Sequence, residues 1–213
     1  VGGDGIRLYE SAQPTLTNSN IYQADWPIRS YSWNALPASL EGNTYGDATH
    51  YGIRLESPSI PQDESMTWRV YADGLPYSPS GGVDIGANAT LTLEPGIVVK
   101  LDDNQSIGVH GTLDAQGTAT APILFTAWTD DTDGDTNADG TDTEPAADWW
   151  NSIYFHDGSS GTLTHCQIRY AGYWEEAAIV VHGSAAPTIN YCEIAYVGGD
   201  GIRLYESAQP TLT

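Results

Sequence analysis

The stretch VGGDGIRLYESAQPTLT at residues 197–213 repeats residues 1–17 letter for letter, at an offset of 196 residues. Seventeen consecutive identities, exposed-looking positions included, indicate a tandem array of near-identical units. Self-similarity of this kind decides the architecture before any local reading does. Residues 1–17 are then the end of a preceding unit and residues 18–213 one full unit, so that 1–213 is a single repetitive domain.

Inside the unit a shorter period is visible. Alternating pairs occur at Ile53/Leu55, Val83/Ile85, Ile107/Val109, Ile153/Phe155, Ile179/Val181 and Ile202/Leu204, each the signature of a short half-buried strand. A second column runs through Leu91, Leu113, Leu163, Ile189 and Leu16, and a third through Ile97, Ile123, Ile168, Ile194 and Ile21. Three short strands per turn of about 23 residues, divided by Gly, Asn, Asp and Pro corners, predict an all-β right-handed parallel β-helix, a solenoid. Six such turns per 196-residue unit follow from this register. Two of the steps are long, and they predict two loop insertions at one corner, at residues 126–152 and 23–51. With turns about 4.8 Å apart the unit would rise about 29 Å, and the loops would line one edge.

Composition agrees. Gly 23, Pro 12 and Tyr 13 beside a single Met argue against helices. The net charge of −21, from 28 acidic against seven basic residues, would repel nucleic acid and anionic membranes. No run of about 18 apolar residues suggests a membrane span. Cys166 and Cys192 precede the third-column isoleucines by two residues, in line with Ala121 and Ser19. They are expected inward and adjacent, as a ladder of small buried residues or as a disulfide.

The order ATLTLEPGIVVKLDD, IGVHGTLDAQGTATAPILFTAW, DDTDGDTNADG, DWWNSIYF and LTHCQIRYAG resembles the right-handed β-helix repeats of large secreted and cell-surface proteins of bacteria. The similarity covers residues 83–213. It implies an extracellular or cell-surface location and a structural or adhesive role, and it brings no catalytic residues with it.

The strongest local signal is DDTDGDTNADGTD at residues 130–142. Asp135, Asn137 and Asp139 before Gly140 match the start of an EF-hand-type calcium loop, in which alternation turns oxygens inward. The twelfth position is Ala146 where such loops carry a bidentate Glu, so Glu144, Asp148, Asp131 or Asp133 must complete any site. Residues 130–148 hold eight acidic groups and no basic one. The expected Ca²⁺ ligands are Asp131, Asp133, Asp135, Asn137, Asp139 and Asp142.

Three further features are weaker. His110, His156 and His182 fall outward on three consecutive turns, as a polar ladder, a transition-metal site or a glycan contact. Trp128, Trp149, Trp150, Tyr173 and Trp174, with Trp26, Tyr31, Trp33, Tyr45 and Tyr51 in the other insertion, anchor the loops or stack on sugars. For a polysaccharide lyase or hydrolase the raw materials are Lys100, scattered arginines with Arg54 and Arg203 as an outward pair, and Asp102 with Asp103. The sequence reading is therefore non-enzymatic. It gives the repeat unit of an extracellular fibre, stalk or adhesin, stiffened by calcium, whose partners are adjacent identical units stacked head-to-tail. A glycan-binding module is the alternative.

Overall fold

The computed structural model describes residues 2–173 and 177–213, so Trp174 lies outside the described residues. The fold is a parallel β-solenoid. One eight-stranded sheet runs from Ile6–Leu8 through Ile28–Ser30, Ile53–Leu55, Tyr77–Pro79, Val98–Leu101, Ile123–Ala127 and Cys166–Arg169 to Glu193–Ala195, giving eight turns. A five-stranded sheet stacks Val83–Ile85, Ile107–Val109, Ile153–Phe155, Ala177–Val181 and Asp200–Leu204. A six-stranded sheet stacks the strands from Ser65–Trp68 to Thr211–Leu212. Two further pairs, Thr15–Thr17 with Ser39–Glu41 and Asn20–Tyr22 with Thr44–Gly46, complete the first coils.

Strand and corner chemistry explain these elements. Most strands are three to five residues long, with the central or flanking apolar residues inward, as in the Ile153–Phe155 pattern of two buried ends around a half-buried Tyr154. Corners are made by left-handed residues: His165 (φ 48°), Tyr170 (62°), Tyr191 (52°) and Tyr196 (56°). That conformation is unfavourable for bulky side chains. Ring stacking between turns offsets it, His165 on Tyr191 at 5.0 Å and Tyr170 on Tyr196 at 5.3 Å. Inside, Ile28, Ile53, Ile85, Val99, Phe125, Phe155, Ile168 and Ile179 are fully buried in one continuous core.

The expected columns are met in part. The first holds residue for residue from Val83 to Ile107, Ile153, Ile179 and Ile202. The second and third slip by two residues across the 126–152 insertion, pairing Ala115 with Leu163 and Phe125 with Ile168. A slip of two keeps every side chain on its face, whereas a slip of one would invert them. Cys166 accordingly pairs with Ile123, where Ala121 was expected, and Cys192 follows it inward. Both cysteines are free, their thiols directed at the carbonyl oxygens of Ala115 and Leu163, each at 3.3 Å.

Two expectations are corrected. Residues 23–51 are no loop: Ile28–Ser30, Ser39–Glu41 and Thr44–Gly46 make a complete coil. Ile53–Leu55 belongs to the eight-stranded sheet, pairing with Ile28–Ser30 and Tyr77–Pro79. Ile60 takes the place above Ile85 that was assigned to it. The step from residue 53 to residue 83 thus contains a turn and a third. The 196-residue unit makes seven and a third turns in place of six, a rise of about 35 Å.

If residues 23–51 are a coil, Ile28→Ala will destabilise the chain by about 2–5 kcal/mol, as cavity formation in a core does. Denaturant unfolding measures this, and a loss under about 0.5 kcal/mol, normal for a surface loop, would contradict the assignment.

Candidate cation-binding loop

The excursion between Ile123–Ala127 and Ile153–Phe155 contains only a 3₁₀ turn at Asp131–Asp133, capped by the Asp130 side chain, which accepts from the Thr132 amide. Its charge would be self-repelling without a positive seat. The eight-stranded sheet supplies one. Its outward column reads Arg7, Arg29, Arg54 and Ser78 in register, then Lys100 opposite Thr126, with Arg169 after it. Five of the seven basic residues of the chain therefore stand on one ladder. Sequence reasoning read them as scattered because it placed Ile53–Leu55 on the wrong face. Arg54 and Arg203 lie in different sheets and form no pair.

The loop folds back along this ladder. The Lys100 side chain is fully buried and donates to the carbonyls of Asp130, at 2.5 Å, and Gly134. Burial pushes its ammonium pKa down, against the pull of Asp130, Asp131, Asp133 and Asp135. The buried Asp130 accepts from the Thr126 hydroxyl at 2.5 Å and the Thr132 hydroxyl at 2.6 Å. Further along, the Tyr51 amide donates to the Thr136 carbonyl at 3.0 Å. The Arg54 guanidinium lies 5.3 Å from the Trp26 ring and 5.4 Å from the Trp128 ring, a favourable placement of a cation on π-faces. Arg29 meets Asp4, Asp25 and Glu56 at 3.0–3.4 Å. Trp26 and Trp150 are buried, so these rings are anchors.

Within the loop, one carboxylate oxygen from each of Asp131, Asp135 and Asp139 lies within 4.8 Å of the other two. Asp135 accepts from the amides of Asp139 at 3.1 Å and Gly140 at 2.9 Å, which fixes the turn. The Asn137 amide donates to Asp139 at 2.9 Å. One side-chain oxygen each of Asp131, Asn137 and Asp139 is shielded from solvent without a hydrogen-bond donor. Asp133 and Asp142 are exposed and stand outside the trio. Calcium takes six to eight oxygens at 2.3–2.6 Å, so oxygens up to about 5 Å apart suit its sphere. Asp131, Asp135 and Asp139 fit that requirement, Asn137 is bonded to Asp139 beside them, and Glu144 lines the adjoining cleft of about 280 Å³ with Asp131 and Tyr170. Asp131 is the further carboxylate that stands with Asp135 and Asp139, where Ala146 offers none. Burial, then Asp135 and Asp139, raise its carboxyl pKa above 3.8.

The histidine ladder forms, more tightly than a bare strand spacing suggests. His110 and His156 stack with ring centroids 3.8 Å apart, and His156 lies 4.4 Å from Tyr154. Burial, then His110, holds His156 below its ordinary value of 6.5. His110 has Asp84 at 3.5 Å, and His182 has Glu206 at 3.8 Å. The three imidazoles thus form a polar ladder along one face, with Asp84 and Glu206 at its two ends.

Because the folded-state pKa of Asp131 is raised, its ionised form is the disfavoured one. It costs nothing at pH values below the ordinary carboxylate range and destabilises progressively as pH climbs through it. In EDTA, the melting temperature of Asp131→Asn minus that of the parent is expected to grow between about pH 3 and 6. A variant that falls behind the parent as pH rises contradicts the electrostatic account. Comparison with protein-family models, with curated proteins and with solved structures gave no match to this chain.

Proposed function

We propose that this chain is the structural repeat unit of a β-solenoid fibre, stalk or adhesin displayed outside the cell, in which identical units stack head-to-tail. One observation carries the reading. Leu8 is 3% exposed beneath the coil formed by residues 18–46, whereas Leu204, in the identical sequence context, is 47% exposed. The same contrast holds for half-buried Leu16 and for Leu212, 51% exposed. A second copy of residues 18–46 over residues 200–212 would remove that exposure, stabilising by about 1 kcal/mol per leucine. The function is mechanical: parallel ladders and a single apolar core continue from unit to unit, and load is shared by many backbone hydrogen bonds.

The acidic loop fits the same role as a clamp. It ties the turn of Ile123–Ala127 to that of Ile53–Leu55 through Lys100, Tyr51 and Arg54, three turns away. Ca²⁺ held by Asp131, Asp135, Asn137 and Asp139 would offset two of the trio's three negative charges and lock the strap in place. A polysaccharide-cleaving role draws less support, because the ladder arginines are engaged by the chain's own carboxylates and rings.

Chains of one, two and three units, made by appending residues 18–213, test the reading in electron micrographs. Straight rods that lengthen by about 35 Å per unit support it; beads on flexible linkers refute it. With calcium at about 100 times its dissociation constant, the parent is expected to gain about 2.7 kcal/mol. Asp131→Asn should lose that gain.

A further inference from the structure

The two copies of the seventeen-residue segment occupy different sheets. Ile6–Leu8 opens the eight-stranded sheet, and its duplicate within Asp200–Leu204 closes the five-stranded one. Each copy shows one neighbour that the other lacks. In the first, Ile6 pairs with Ile28, Arg7 with Arg29 and Leu8 with Ser30. In the second, Ile179 pairs with Ile202, Val180 with Arg203 and Val181 with Leu204. Superposed by sequence, these registers form one continuous column, Ile179 to Ile202 to the next unit's Ile28. The following strand behaves alike: Ile189 pairs with Leu212, and Leu16, the counterpart of Leu212, pairs with Leu40. The corners agree as well, because Asn18 (φ 49°) and Gln23 (φ 53°) repeat the left-handed conformations of Tyr191 and Tyr196.

From this we infer that successive units join with a rotation of one face, about a third of a revolution, so that their acidic loops wind around the fibre in three directions. The inference rests on the stacked-fibre reading and deepens it. The five-stranded sheet of one unit continues as the eight-stranded sheet of the next, and the six-stranded sheet continues as the Thr15–Thr17 pair. Glu193–Ala195, the last strand of the eight-stranded sheet, is then followed by the next unit's Asn20–Tyr22. Since the loop always leaves the eight-stranded sheet after Ala127, it moves to the adjacent face at each junction. Seven and a third turns per unit bring it back into line after three units and 22 turns, about 105 Å along the axis. The partner of residues 200–212 is thus residues 18–46 of the following copy, set by register and not merely by an open edge.

The physical origin lies at residues 53–83. There the strand Ile53–Leu55, which has the same Ile-Arg-Leu sequence as Ile202–Leu204, stacks on Tyr77–Pro79 instead of Val83–Ile85. Gly52 (φ 145°) makes that contact close, since a β-carbon there would lie 2.8 Å from the Pro76 carbonyl oxygen. One face is gained in that turn, and nothing later in the unit returns it.

The test is single-particle electron cryomicroscopy of the three-unit chain, reading the azimuth of the 130–148 loop in consecutive units. Loops separated by about a third of a revolution and about 35 Å are expected. Loops in a single row on one edge, within a continuous solenoid, overturn the rotation while leaving the fibre intact. Separate bodies without strand density across the junction overturn both. If the three-unit chain does not stay soluble, the azimuth of the two loops in a two-unit chain decides the same question.

Discussion

The structure depends on the parallel ladder between turns: each short strand is held by backbone hydrogen bonds to the strands before and after it, and by little within its own turn. A three-residue strand such as Ile153–Phe155 could not persist alone. Between Ile107–Val109 and Ala177–Val181 it satisfies its backbone on both sides and stacks Ile153 and Phe155 into a column of buried side chains. Order in one turn is therefore borrowed from its neighbours. Tandem duplication extends this logic, because a segment that accepts a coil on one side and donates to one on the other can be repeated without new design.

Charge follows from the same stacking. A chain carrying −21 gathers most of its few cations into one outward column, because residues spaced by one turn fall on one line. That column gives the acidic excursion a seat, and fully buried Lys100 fixes its base through main-chain carbonyls. Burying a lysine this way is costly unless its donors are filled. The loop supplies the acceptors, so the lysine and the loop each require the other.

Much of the fold was legible in the sequence. The column from Val83 to Ile202 could be read directly, since alternation of period two and spacing near one turn leave little choice. The trio within the acidic loop was legible in part: alternation marked Asp135 and Asp139, but only the 3₁₀ turn explains why Asp131 joins them and Asp133 does not. Less legible was the first quarter. Ile28-Arg-Ser lacks the second apolar residue of the other motifs, its place in the core being filled by Ser30, whose hydroxyl bonds the Ala35 carbonyl at 2.7 Å. A polar residue satisfied inside the solenoid hid a whole coil and turned it into an apparent loop. The basic ladder disappeared with it, since its register runs through that coil.

The central claim is that residues 200–212 are an interior coil of a continuous stack. Amide hydrogen exchange, compared between the 213-residue chain and the same chain extended by one more copy of residues 18–213, tests it most directly. The account predicts that the amide of Ile202, whose counterpart Ile6 donates to the Pro27 carbonyl of the coil that follows it, exchanges rapidly in the first and becomes protected in the second by at least a factor of about 100, the equivalent of about 2.7 kcal/mol. Equal exchange in the two chains would contradict it.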